Sequence, residues 1–135
     1  MSFMVTRKVA IDVIREYRKA WIDKDSEAII KIFTKNGRYH EYVLKKPYKG
    51  HNEIKKYWED KVVATQRNIR FKLLNLYIQK NVAVAESDIR FDDTKRNIGI
   101  HMKELMILEF KGNKISYLRE YWSSEHLRNG KVIPK

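Results

Sequence analysis

The sequence predicts a single α+β domain of 135 residues, with three N-terminal helices packed on a strongly curved antiparallel sheet. Three observations carry that expectation. Up to about residue 63, most apolar residues recur every three or four positions, as helices facing a core require. Beyond it they alternate, as half-buried strands do. The connections "QKN", "DDTKRN" and "KGN" are short and polar, which suits hairpins between antiparallel neighbours. Helices followed by a strand meander make an α+β chain.

The first helix is expected from about Thr6 to Asp23. Val9, Val13, Tyr17 and Trp21 recur every four residues, and Ala10, Ile14 and Ala20 widen the stripe. "DKDSEA" interrupts it. Asp25 or Ser26 can cap the second helix, with Glu27 suited to its first turn. Ala28, Ile29, Ile32 and Phe33 form its apolar face, and Gly37 in "KNG" offers a left-handed stop. "RYHEYVL" reads as a strand. Pro47 makes "KKPYKG" a loop or a very short extended piece. Asn52 is expected to cap a third helix reaching about Val63, with Ile54, Tyr57, Trp58 and Val62 inward. Four strands follow in "NIRFKLLNLYIQ", "NVAVAESDIRF", "NIGIHMKELMILEF" and "KISYLREYW". Residues 124–135 read as a tail beyond a core of about 6–123. A bent sheet wrapped around one long helix leaves a conical pocket, a common ligand site.

Composition narrows the function classes. With 29 Lys and Arg against 17 Asp and Glu, the net charge is +12. These cations are spread along the chain, and no nucleic-acid motif accompanies them, so a basic solvated surface is expected and a nucleic-acid partner is not. There is no cysteine, hence no disulfide or thiolate chemistry. No run of about 18 apolar residues occurs, so no membrane span is expected. The N-terminus lacks a signal-peptide core. The expected location is cytoplasmic.

"YRKAWIDKDSEAIIKIFTKNGRYHEY" followed by "PYKGHNEIKKYW" resembles the opening of the nuclear transport factor two-like superfamily. That group includes SnoaL-like cyclases and ketosteroid isomerases. The shared pattern is an aromatic helix, an Asp opening the second helix, Phe33 before a turn, a polar strand, then Gly50 and the Ile54–Trp58 helix. "KISYLREYW" is similar to the last strand of SnoaL-like members. The resemblance covers about residues 8–123. It implies a cystatin-like, SnoaL-like α+β barrel with a conical pocket for a small apolar, oxygen-bearing molecule, and a homodimer. It also implies cofactor-independent proton transfer of isomerase, cyclase or dehydratase type. The isomerases place a tyrosine eight residues before that Asp and an acidic base sixteen after it. Counted from Asp25, these are Tyr17 and Glu41. Their second, protonated acid falls at Met106, with Glu104 of the same parity nearby.

Taken alone, Tyr17 and Glu41 admit three roles: catalysis, ligand contact, or structure. Tyr39 shares the parity of Glu41 and is expected in the cone, whereas His40 points away. Trp58 and Trp122 are pocket or core aromatics. Glu86 and Asp88 share one strand face, as a second pocket acid or as outer-face partners of the cations. No two histidines have metal-ligand spacing, so no metal is expected. With no glycine-rich phosphate loop and no serine nucleophile paired with a base, no cofactor is expected. A non-catalytic ligand-binding or protein-interaction module is the competing class.

Overall fold

The computed structural model describes residues 4–135. Helix α1, Arg7–Ile22, starts at Thr6, whose hydroxyl accepts from the Val9 amide at 3.1 Å. It buries Ala10, Val13, Ile14, Tyr17, Ala20 and Trp21, the expected stripe. Lys24, in the left-handed region at φ 54°, turns the chain. Of the two candidate caps for α2, Ser26–Lys31, Asp25 takes the role. Its carboxylate accepts from the amides of Glu27 at 3.1 Å and Ala28 at 3.0 Å.

Strand β1, Phe33–His40, begins five residues earlier than the expected "RYHEYVL" and ends before Glu41. Phe33 therefore belongs to the sheet, not to α2. Gly37 makes no left-handed turn. It lies inside β1, where a Cβ would sit 3.0 Å from the Thr34 carbonyl and 3.2 Å from that of Ile115. Close backbone approach, at an irregularity between Phe33 and Arg38, is what requires glycine there. Strand β2, Tyr48–Lys49, leads into α3, Gly50–Trp58. Asn52 lies inside α3 and does not cap it. The Glu53 carboxylate instead reaches back to the Lys49 amide at 3.0 Å. The last stretch of the expected helix, Glu59–Val63, is a π-turn.

The other strands are β3 (Gln66–Gln79), β4 (Val82–Asp93), β5 (Ile98–Lys111), β6 (Lys114–Arg128) and β7 (Lys131–Ile133). They form one curved sheet in the order β2-β1-β6-β5-β4-β3, with β7 on β6. Two expectations change here. The sheet is mixed, because β1 runs parallel to β6. Such a pair needs a long crossover, and α3 and four strands intervene. The sheet is also open, not a closed barrel, with β2 and β3 at its ends. Residues 124–135 are not a tail. Their first half extends β6, and β7 folds back on it with Val132 opposite Leu127. Asn129 and Gly130, both at positive φ (52° and 75°), make the two-residue turn this requires.

Alternation sets the two faces. Ala83, Ala85, Ser87, Ile89 and Phe91 of β4 point inward and are buried. In β3 a shift between Leu73 and Asn75 moves the inward set from Phe71 and Leu73 to Leu76 and Ile78. On the outer face His101 of β5 bridges three strands. Its ring nitrogens lie 2.8 Å from Asp88 of β4 and 2.9 Å from Glu125 of β6. Hydrogen bonds to Glu125 and Asp88 raise its pKa above the ordinary 6.5. A raised histidine stabilises the fold below the unfolded-chain value and stops doing so as pH rises through the folded value. Thermal unfolding of His101→Gln is therefore expected to lack a part of the stability that the wild type loses between pH 6 and 8. Parallel melting curves across that range would remove His101 from the account.

Candidate functional site

A cavity of about 110 Å³ lies between the helices and the inner face of the sheet. Trp21 of α1, Tyr57 and Trp58 of α3, and Val62 of the π-turn form one side. Tyr39 of β1, Glu104 of β5, and Glu120 and Trp122 of β6 form the other.

Glu120 is the centre of the polar lining. Alternation along β6 places it on the same face as Leu118 and Trp122. Its Oε1 accepts from the Tyr39 hydroxyl and, at 3.1 Å, from the Tyr17 hydroxyl. The two hydroxyls lie 2.9 Å apart. Each carries one proton, so Tyr39 serves Glu120 while Tyr17 donates to Glu120 or to Tyr39. Burial, then the charge of Glu120, pushes the pKa of Tyr39 and Tyr17 well above the usual 10. Both therefore remain donors.

Glu104 reaches Glu120 from the neighbouring strand and hydrogen-bonds it. Only 2% and 6% of these two residues is exposed. Two buried carboxyls in contact cannot both ionise at neutral pH. Burial, then the charge of Glu120, pushes Glu104 well above the carboxylate range. Glu120 is raised to about 7 by burial, then by Glu41, and the bonds from Tyr39, Glu104 and Tyr17 oppose that rise. Once Glu120 ionises, above about pH 7, the pair holds one proton, with Glu104 as its main carrier. The Oε1 of Glu104 and the indole Nε1 of Trp58 are buried on the cavity without a hydrogen-bond partner.

Glu41 lines the cavity as expected, but it does not pair with Tyr17. It accepts from the Tyr57 hydroxyl. Tyr17, on α1, reaches deeper and meets Tyr39 and Glu120 instead. Burial raises the Glu41 pKa, against the Tyr57 bond and the charges of Lys61 and Lys45.

The other expected site residues divide cleanly. Tyr39, Trp58, Glu104 and Trp122 line the cavity. Trp58 packs edge-on against Tyr17 at 5.8 Å and Tyr39 at 5.9 Å. Met106 is fully buried and packs in the core. Glu86 and Asp88 lie on the outer face, where Glu86 accepts from Asn75 at 2.7 Å and Asp88 holds His101. His40 faces away from the cavity, between the Tyr117 hydroxyl at 2.7 Å and the Lys45 carbonyl. Among the described residues no cluster of histidines and carboxylates could hold a metal. Glu120 and Tyr57 were not singled out from sequence. The parity of Glu120 with Leu118 and Trp122 was its only signal.

A family model of the SnoaL-like domain matches residues 14–118, most of the chain. The chain belongs to the SnoaL-like domain family. No curated protein matches the sequence. Among solved structures, this SnoaL-like chain is similar to a provisional isomerase from Bacillus subtilis. The identity is 16%, over 86% of this chain and 87% of that one, with a TM-score of 0.77. It also resembles a ketosteroid isomerase-like protein of Catenulispora acidiphila solved with trimethylamine. That match has 16% identity, covers 82% and 85%, and has a TM-score of 0.73. A third is an LEH-like epoxide hydrolase of M. tuberculosis, with 11% identity, 86% and 84% coverage, and a TM-score of 0.71. Identities this low speak for the fold alone. Within the SnoaL-like frame, position 106 holds Met106, where the sequence resemblance implied an acid. Its cross-strand partner is Glu120, so a carboxylate enters the same region from β6.

Proposed function

We propose that this SnoaL-like domain binds a small oxygen-bearing molecule and moves a proton on it without a cofactor. The observation that carries the proposal is the Glu104–Glu120 pair: two buried carboxyls on one cavity, hydrogen-bonded to each other and backed by two tyrosine hydroxyls. A value near 7 suits a group that must both take and return a proton at neutral pH. In an isomerisation, ionised Glu120 takes a proton from carbon next to a carbonyl. As Glu120 becomes neutral it no longer holds the Glu104 proton, which turns to the developing enolate oxygen. Glu120 then returns the proton to another carbon, and the protein is unchanged. Glu41 is a second carboxylate on the lining, with Tyr57 as its donor.

The test needs no known substrate. Small cyclic ketones in D2O should exchange their α-protons faster with the protein than with buffer. Equal rates across a varied panel would leave a binding role only.

The outer face favours a homodimer. Leu105 and Tyr121 are paired across β5 and β6 and are 36% and 43% exposed, next to half-buried Val84 and Ile107. Apolar residues together on one sheet face suit a second copy of the chain. Sedimentation should give a dimer, with Leu105→Arg monomeric. A monomeric wild type at high concentration would refute the pairing.

A further inference from the structure

The cavity lining has a charge pattern that proton transfer alone does not require. Glu41, Glu104 and Glu120 all face it. The chain carries 29 Lys and Arg, yet among the described residues none forms an ion pair with any of these three carboxyls. Two cations do reach the lining, and neither comes within ion-pair distance of the three carboxyls, although the charge of Lys61 acts on Glu41. Arg96 is held by Asp93 at 2.8 Å. Lys61 lies 5.9 Å from the centre of the Tyr42 ring. The remaining wall is largely aromatic, including Trp21, Tyr57, Trp58 and Trp122.

We infer that the cavity takes a small alkylammonium group, with its N–H toward the unpartnered Oε1 of Glu104 and its alkyl groups against the aromatic rings. The inference rests on the cavity being a ligand site, and it adds the charge of the ligand. Carboxylates and aromatic faces both attract a cation, and alkylation makes the cation cheaper to dehydrate than a bare ammonium. Glu104 Oε1 is a buried acceptor without a partner, on a residue that lines the cavity, and an N–H satisfies it. Size agrees. A volume of about 110 Å³ is below the usual range for drug-sized ligands, roughly 300 Å³ and up, and suits a group of a few heavy atoms.

Trimethylammonium chloride is the probe, and tert-butanol is its uncharged counterpart of similar shape. Three tryptophans line the cavity, so intrinsic fluorescence reports occupancy, with sodium chloride as the ionic-strength control. Trimethylammonium should saturate and bind about tenfold tighter than tert-butanol, the effect of one cation–π and charge contribution. Glu120→Gln should weaken it by about tenfold or more, and Glu41→Gln provides the same comparison should the first variant fold poorly. Equal or tighter binding of tert-butanol overturns the inference but leaves the cavity a ligand site. No saturable response to either probe also overturns it, while exchange of ketone protons would still uphold the proposed proton transfer. Unchanged trimethylammonium affinity in a folded Glu120→Gln and in Glu41→Gln moves the cation elsewhere and refutes this placement.

Discussion

Glu120→Gln is expected to lower α-proton exchange by about 10²- to 10⁴-fold, the usual contribution of a positioned base. Glutamine keeps the shape of the side chain, and its carbonyl can still accept from Tyr39. It cannot take a proton. The melting temperature should stay level or rise, because a buried charge is replaced by a neutral group of the same volume. The two readouts separate the roles. Lost exchange in a stable protein marks Glu120 as the base. Undiminished exchange would transfer that role to Glu41, the other carboxylate that faces the cavity and takes a tyrosine bond.

Glu104→Gln is expected to stabilise the protein at alkaline pH. Both buried carboxyls bind protons more tightly in the folded state than in the unfolded chain, where the ordinary value is 4.5. Their contribution is complete below that value. It is lost as pH rises through the folded value of Glu120, about 7, and beyond. Ionising a second carboxyl inside the cavity costs on the order of a few kcal/mol. Glutamine at 104 does not ionise, yet it still offers Glu120 an N–H. Its melting temperature should match the wild type near pH 5 and exceed it by roughly 5–10 °C at pH 8. An equal shift at both pH values would show that packing, not titration, is responsible. His101 works in the same direction, so the wild type should be more stable near pH 5 than at pH 8.

Much of this was legible because local signals agreed. The stripe of α1 is buried but for a partly exposed Val9, and of the two caps open to α2 Asp25 takes the role. The four-strand meander is as expected, although a shift in β3 moved its inward set after Leu73. What failed was non-local. Nothing in "FTKNGRYH" tells that β1 will lie parallel to a strand some eighty residues later. Tyr39, Glu41, Trp58, Glu104 and Trp122 were placed on the cavity by parity and resemblance together. Glu86 and Asp88 share their face with Val82 and Val84, and of the two roles open to them from sequence the outer-face one is what the sheet shows. Met106 held the counted position, but its cross-strand partner brings the acid. The Asn129–Gly130 pair was an ordinary hairpin signal within the segment read as a tail.

Among the described residues no strand pairs with the outer edge of β3, which is 14 residues long. Such an edge is a template on which another chain can add a strand and begin a fibril. Here two of its carbonyls are already taken by side chains from α1. The Arg18 guanidinium donates to Phe71 at 2.9 Å, and that of Arg7 to Leu76 at 3.3 Å. Arg67, Arg70 and Lys72 add like charge along the same strand, and two register shifts break its line. Part of the chain's positive charge thus guards its own polymerisation front: two copies approaching edge to edge meet occupied acceptors and mutual repulsion.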